Sequence, residues 1–169
     1  MEIKSHEPTY PDCKDPKSYQ SGLEFQDFVV DLLREQLGIV ITNYQSQRFQ
    51  FGVGENKQGI EIKLDRDILS TKNVSIEIAE KAKASNPYYV PSGIYRNDNS
   101  WLYIQGNWDI VFIFSKNILR LLHKSGRYKI NTLPTLKSYL LPIDEARKYA
   151  AKVIELNTDE TKLRRWMGE

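Results

Sequence analysis

The sequence predicts an α/β domain with a mixed β-sheet, and three groups of residues carry that prediction. Leu23, Phe25, Phe28, Val29, Leu32, Leu33 and Leu37 recur at the spacing of one helix face. Gly59-Ile60-Glu61-Ile62-Lys63-Leu64-Asp65 and Ser75-Ile76-Glu77-Ile78-Ala79-Glu80-Lys81 each alternate β-branched apolar residues with charged ones, the period-two pattern of a strand with one charged face. Residues 101–104 and 109–114, on either side of a Gly106-Asn107 turn, read as a hydrophobic hairpin at the core.

Length and composition bound the function classes. With 169 residues, 40% hydrophobic and 27% charged, the chain is sized for one globular domain that buries its own core. No apolar run approaches a membrane span and the N-terminus carries no charged-then-apolar signal, so a soluble protein with a cytoplasmic address is expected. The single cysteine, Cys13, excludes an internal disulfide and a thiolate-rich zinc site. His6 and His123 are the only histidines, which makes a Ser-His-Asp triad a poor expectation and leaves His123 as a favourable charge at a helix end. Any metal is expected to be a hard cation on oxygen. A net charge of +2 neither demands nor excludes nucleic acid.

Taken in order, residues 1–20 read as an irregular arm with Pro8, Pro11 and Pro16, residues 21–157 as the domain, and residues 158–169 as a charged tail. Ser21 and Glu24 have capping-box spacing at the head of the helix, and Gly38 ends it. Residues 39–42 and 47–51 are strand candidates. The glycine-rich turn from Gly52 to Gly59 lacks the strand-to-helix setting of a phosphate-binding loop. Residues 81–100 are long for a structureless loop and are expected to carry function or a short strand. Ser115 heads a short helix to about residue 122, residues 137–142 read as extended, and residues 144–156 open acidic and turn basic, as a helix does. Trp101 and Trp108 read as core residues rather than base-stacking platforms.

Glu61 and Lys63 lie two apart and so share a strand face, and Glu77 lies on the charged face of the second strand. A central hairpin pairing residues 58–65 with 73–80 would bring two carboxylates and an ammonium together. That set can hold a divalent cation and activate a water for phosphodiester hydrolysis. Cross-strand ion pairing on a solvated face accounts for the same alternation without chemistry.

These two strands, preceded by a helix bearing Glu24, resemble the PD-(D/E)XK nuclease superfamily, and more closely its small phage and bacterial nuclease-like proteins. The resemblance runs from about Leu23 to Lys81. It implies a restriction-endonuclease-like core, a central mixed sheet flanked by helices, and an endonuclease that cleaves DNA with Mg²⁺ or Mn²⁺. Glu61 and Glu77 would be the acids that bind the metal and Glu24 the helix carboxylate. The lysine expected two residues after the second acid is Ala79, so Lys63 or Lys81 must supply the ammonium. A second register takes Glu61 and Lys63 as the acid and lysine, with Glu55 as the upstream acid. A degenerate site that binds DNA or a protein partner without cutting is the alternative. Lys81, Lys83 and Arg96 would contact DNA phosphates, while Tyr88, Tyr89 and Tyr95 offer groups for sugars or base edges, or else pack as core or at a homodimer contact.

Overall fold

The computed structural model describes residues 16–43, 50, 52–156 and 166–168. Helix α1 spans Pro16–Leu37. It starts upstream of the expected capping box, with Pro16 at the first turn, where a missing N–H costs nothing. Ser21 therefore lies inside the helix, where its hydroxyl donates to Lys17 O, and Ser21 and Glu24 do not form an N-terminal box. The first 15 residues of the expected arm, His6 and Cys13 among them, lie outside the described residues, as do residue 157 and, of the tail, 158–165 and 169.

Two four-stranded sheets follow. The first is mixed, in the order β1 (Ile60–Leu64), β4 (Leu102–Gly106), β5 (Ile110–Ser115), β8 (Lys152–Glu155), with β1 parallel to β4 and the other pairs antiparallel. The second is antiparallel, in the order β3 (Val90–Pro91), β2 (Asn73–Glu80), β7 (Leu136–Pro142), β6 (Ile130–Thr132). Among the described residues no helix is long and apolar enough to cross a membrane.

The expected hairpin between residues 58–65 and 73–80 does not form, because the two charged strands belong to different sheets. The chain leaves β1 through the four-residue helix α2 (Ile68–Thr71), whose Ile68 is fully buried, and Lys72 then turns in the left-handed region at φ 57°. That turn delivers β2 to β7, at the heart of the second sheet.

The first sheet carries the main cores on its two faces. Ile60, Ile62, Ile104, Val111 and Ile113 pack under Phe25, Val29 and Leu33 of α1. Tyr103, Phe112 and Phe114 point the other way and meet Val74, Ile76, Tyr139 and Leu141 of the second sheet. Ile94, in the 3₁₀ turn Gly93–Tyr95, and Leu119, in α3 (Lys116–Lys124), close that second core.

Three local expectations change. Residues 39–42 form no strand; nearby, Asn43 makes a single bridge to Asn56, while 47–49 and 51 of the second candidate lie outside the described residues. The expected helix over 144–156 is only α4 (Ile143–Tyr149), after which β8 begins. Val153 and Ile154 explain the switch, since they are β-branched neighbours that pack into opposite cores, as only a strand allows. Trp101 is 59% exposed and Trp108 sits at the surface with its ring edge-on to Phe25, so neither is a core residue.

Candidate functional site

A cleft of about 820 Å³ opens where the two sheets splay, walled by α1, the β1–α2 turn and the β6–β7 turn. Its floor includes Lys63, Asp65, Glu77, Tyr103 and Gln105. Lys63 follows Glu61 by two on β1, so both point away from α1, and the register sets them beside Tyr103 and Gln105 of β4. Glu77 and Ser75 alternate with the core residues Val74 and Ile76 and so occupy the other side of β2, which lines the cleft.

The three residues singled out on the strands do meet, although the strands do not pair. Lys63 Nζ lies 3.2 Å from Glu61 Oε1 and 3.6 Å from Glu77 Oε2. Burial pushes the Lys63 ammonium towards its neutral form, but Glu77 and Glu61 outweigh it and hold the pKa well above the usual lysine value. Glu77 Oε1 accepts a hydrogen bond from Ser92 Oγ at 2.6 Å. Burial, with Glu61 and Glu77 adding to it, pushes the Tyr103 hydroxyl well above the ordinary tyrosine range, so it stays protonated.

Glu61 and Glu77 differ in what they can reach. Glu77 lines the cleft, whereas Glu61 is 1% exposed and is not among the lining residues. Glu61 Oε2 lies 2.7 Å from Lys116 Nζ, and Lys116 is itself 1% exposed. Lys116 also donates to Gly93 O at 3.1 Å and to Ser100 Oγ, and lies 3.6 Å from Asp98 Oδ1. Lys116 escaped the sequence reading because a lysine at the start of a helix reads as solvated, and nothing local in the chain marks it as interior.

Of the candidate lysines, Lys63 touches both acids. Lys81 instead lies over the Tyr89 ring, 4.4 Å from its centroid, and Lys137 lies 4.5 Å from the same centroid. Ala79 pairs across the ladder with Lys137. Tyr89 is tied down by its hydroxyl, which donates to Leu133 O, and Lys81 N donates to Thr135 O at 2.8 Å. This basic and aromatic strap thus borders the wall of the cleft formed by Leu133 and Leu136.

The remaining candidates scatter. Glu24 is exposed, accepts from Gln20 Nε2 at 3.2 Å and does not line the cleft. Lys83 is exposed. Arg96 turns inward, with Nε 3.4 Å from Asp98 Oδ2 and Nη2 donating to Gln50 O at 2.6 Å, and so braces the loop. Glu55, the upstream acid of the second register, does line the cleft; burial raises its pKa against the pull of Lys63. His123 accepts or donates at Tyr95 Oη (2.7 Å) and stacks on Tyr139, and burial lowers its pKa, so it is not the helix-end cation expected.

The cleft's donors suit a hard cation by type, because they are oxygens. Asp65 Oδ2 accepts from Ser75 N (3.0 Å) and Gln105 Nε2 (2.8 Å). Gln105 Oε1, in a residue 3% exposed, is a buried oxygen with no hydrogen-bond donor among the described residues. Among the described residues no group of three or more carboxylate, imidazole or thiolate side chains is arranged to hold an ion. Magnesium needs fewer, since it keeps several waters and takes one or two carboxylates with the substrate phosphate. The carboxylates that line the cleft are Glu55, Asp65, Asp67 and Glu77.

No protein-family model, curated protein or solved structure matches the chain.

Proposed function

We propose that this protein is a metal-dependent nuclease with a restriction-endonuclease-like core, acting on DNA at the cleft between its two sheets. The observation that carries the reading is the Lys63 ammonium set against the cleft carboxylate Glu77 and backed by the buried Glu61. A mixed sheet covered on one face by α1 supports it at the level of the fold.

A magnesium or manganese ion, when bound, would neutralise the scissile phosphate and acidify the attacking water. Glu77 is the acid that would hold it, together with Glu55 or Asp65 and the free oxygen of Gln105. Lys63 offers a fixed positive charge to the oxygen on which negative charge develops, and its raised pKa keeps that charge at neutral pH. Glu61 is assigned here to holding Lys63 rather than to the metal, because two ammoniums already occupy its carboxylate. Lys81 and Lys137 border the cleft wall and are suited to phosphates outside the reacting bond, and Lys83 is exposed to solvent.

A second reading, a DNA-binding module that does not cut, is favoured by two observations: Ala79 stands where the resemblance expects a lysine, and Glu61 is enclosed. Incubation of linear, supercoiled and branched DNA with Mg²⁺ or Mn²⁺ separates the two. The nuclease reading expects cleavage that falls about a hundredfold or more in both Glu77→Gln and Lys63→Met. DNA that is retarded but intact points to the binding module, and DNA that is neither bound nor cut overturns both.

A further inference from the structure

We propose that the buried Lys116–Glu61 pair is the positioning device of the cleft: it orients Lys63 against Glu77 without touching substrate. The contacts form one line of alternating charge. Asp98 lies beside Lys116, Lys116 holds Glu61 Oε2, Glu61 Oε1 faces Lys63, and Lys63 reaches Glu77. Only the last two of these line the cleft; the rest is interior.

Stability alone is a poor reason for Lys116. It is the first residue of α3, where a positive charge opposes the helix dipole, and its ammonium is fully removed from water. A buried ion pair is commonly no better for stability than apolar residues of the same shape. What Lys116 supplies that an apolar residue cannot is direction. By binding one carboxylate oxygen of Glu61 at 2.7 Å, it leaves the other aimed at Lys63. Its own position is over-determined by Gly93 O, Ser100 Oγ and Asp98, from the loop that also delivers Ser92 to Glu77. Both sides of the Lys63–Glu77 contact are therefore set from one buried point.

The proposal rests on the nuclease reading for its kinetic arm only. The test uses the double variant Lys116→Met with Glu61→Gln, which leaves no unpaired charge in the interior. Glu61→Gln alone serves if the double variant does not fold. The first readout is acylation of surface amines by an N-hydroxysuccinimide ester, mapped by mass spectrometry, with Lys83 as the exposed reference. Freed from Glu61, Lys63 should label roughly threefold faster or more relative to Lys83. The second readout is steady-state DNA cleavage, where kcat should fall at least about tenfold while KM stays within about twofold. A folded variant that labels Lys63 at the wild-type rate overturns the proposal, as does one with wild-type kcat. If the wild-type protein cuts no DNA, the nuclease reading falls while the labelling still decides whether the pair positions Lys63.

Discussion

Asp98 shows how a single carboxylate supports the site from behind. Burial favours its neutral form, but hydrogen bonds from the Ser100 hydroxyl and amide and the charges of Lys116 and Arg96 outweigh that, and its pKa lies below the ordinary aspartate value. A carboxylate with a lowered folded-state pKa adds stability above its unfolded pKa and loses it as pH falls through the folded one. Asp98→Asn should therefore destabilise by on the order of 2 kcal/mol at pH 7. The difference should shrink at pH 3, below the unfolded value. Urea unfolding of both proteins at the two pH values checks this, and an equal difference at both would remove Asp98 from the charged network. The face shared by Glu61 and Lys63 was legible in the sequence because spacing of two on a strand has one geometric meaning. The roles of Lys116, Asp98 and Gln105 were not legible, since each depends on a contact between residues far apart in the chain.

At the scale of elements, the helix α1, the two charged strands and the β4–β5 hairpin were all legible, and their pairing was not. Alternation reports which side chains share a face, but it is silent on which strand lies alongside. Here the buried Ile68 in the connection sends β2 to the second sheet. The short strand β3 and the turn Gly93–Tyr95 gave structure to a loop expected to hold something of the kind. Gly93 is where that turn meets β2. It has φ +53°, and a Cβ there would come within 2.3 Å of Glu77 O and 2.7 Å of Glu77 Cβ. Only glycine lets the turn approach so closely, just where β2 shifts register between Glu77 and Ala79. Gly93→Ala should cost about 2 kcal/mol or more, combining a left-handed backbone with a backbone clash. Gly22→Ala, in α1 with nothing within 4 Å, should instead stabilise by about 0.5–1 kcal/mol. Thermal melts of the two variants should move in opposite directions, and equal shifts would contradict the close approach.

Over the whole molecule, the charge of +2 conceals a cleft of the opposite sign. Four carboxylates, Glu55, Asp65, Asp67 and Glu77, line it against two cationic side chains, Lys63 and Arg66. A polyanion entering that space meets repulsion unless divalent cations enter with it. DNA affinity measured by fluorescence anisotropy should rise about tenfold or more when Mg²⁺ or Ca²⁺ replaces a chelator at constant ionic strength. An unchanged affinity would place DNA elsewhere on the surface. The two-sheet plan bears equally on how the protein comes into being. The strand carrying Glu77 takes its main partner, β7, from Leu136–Pro142, and the hydrophobic sheet behind Lys63 gains its last strand only at Lys152–Glu155. A chain emerging from the ribosome has thus synthesised Glu55, Lys63, Asp65 and Glu77 long before it can assemble them. The cleft arises late, by pairing across long sequence separations, and until then Val74, Ile76, Phe112 and Phe114 have no completed core to enter.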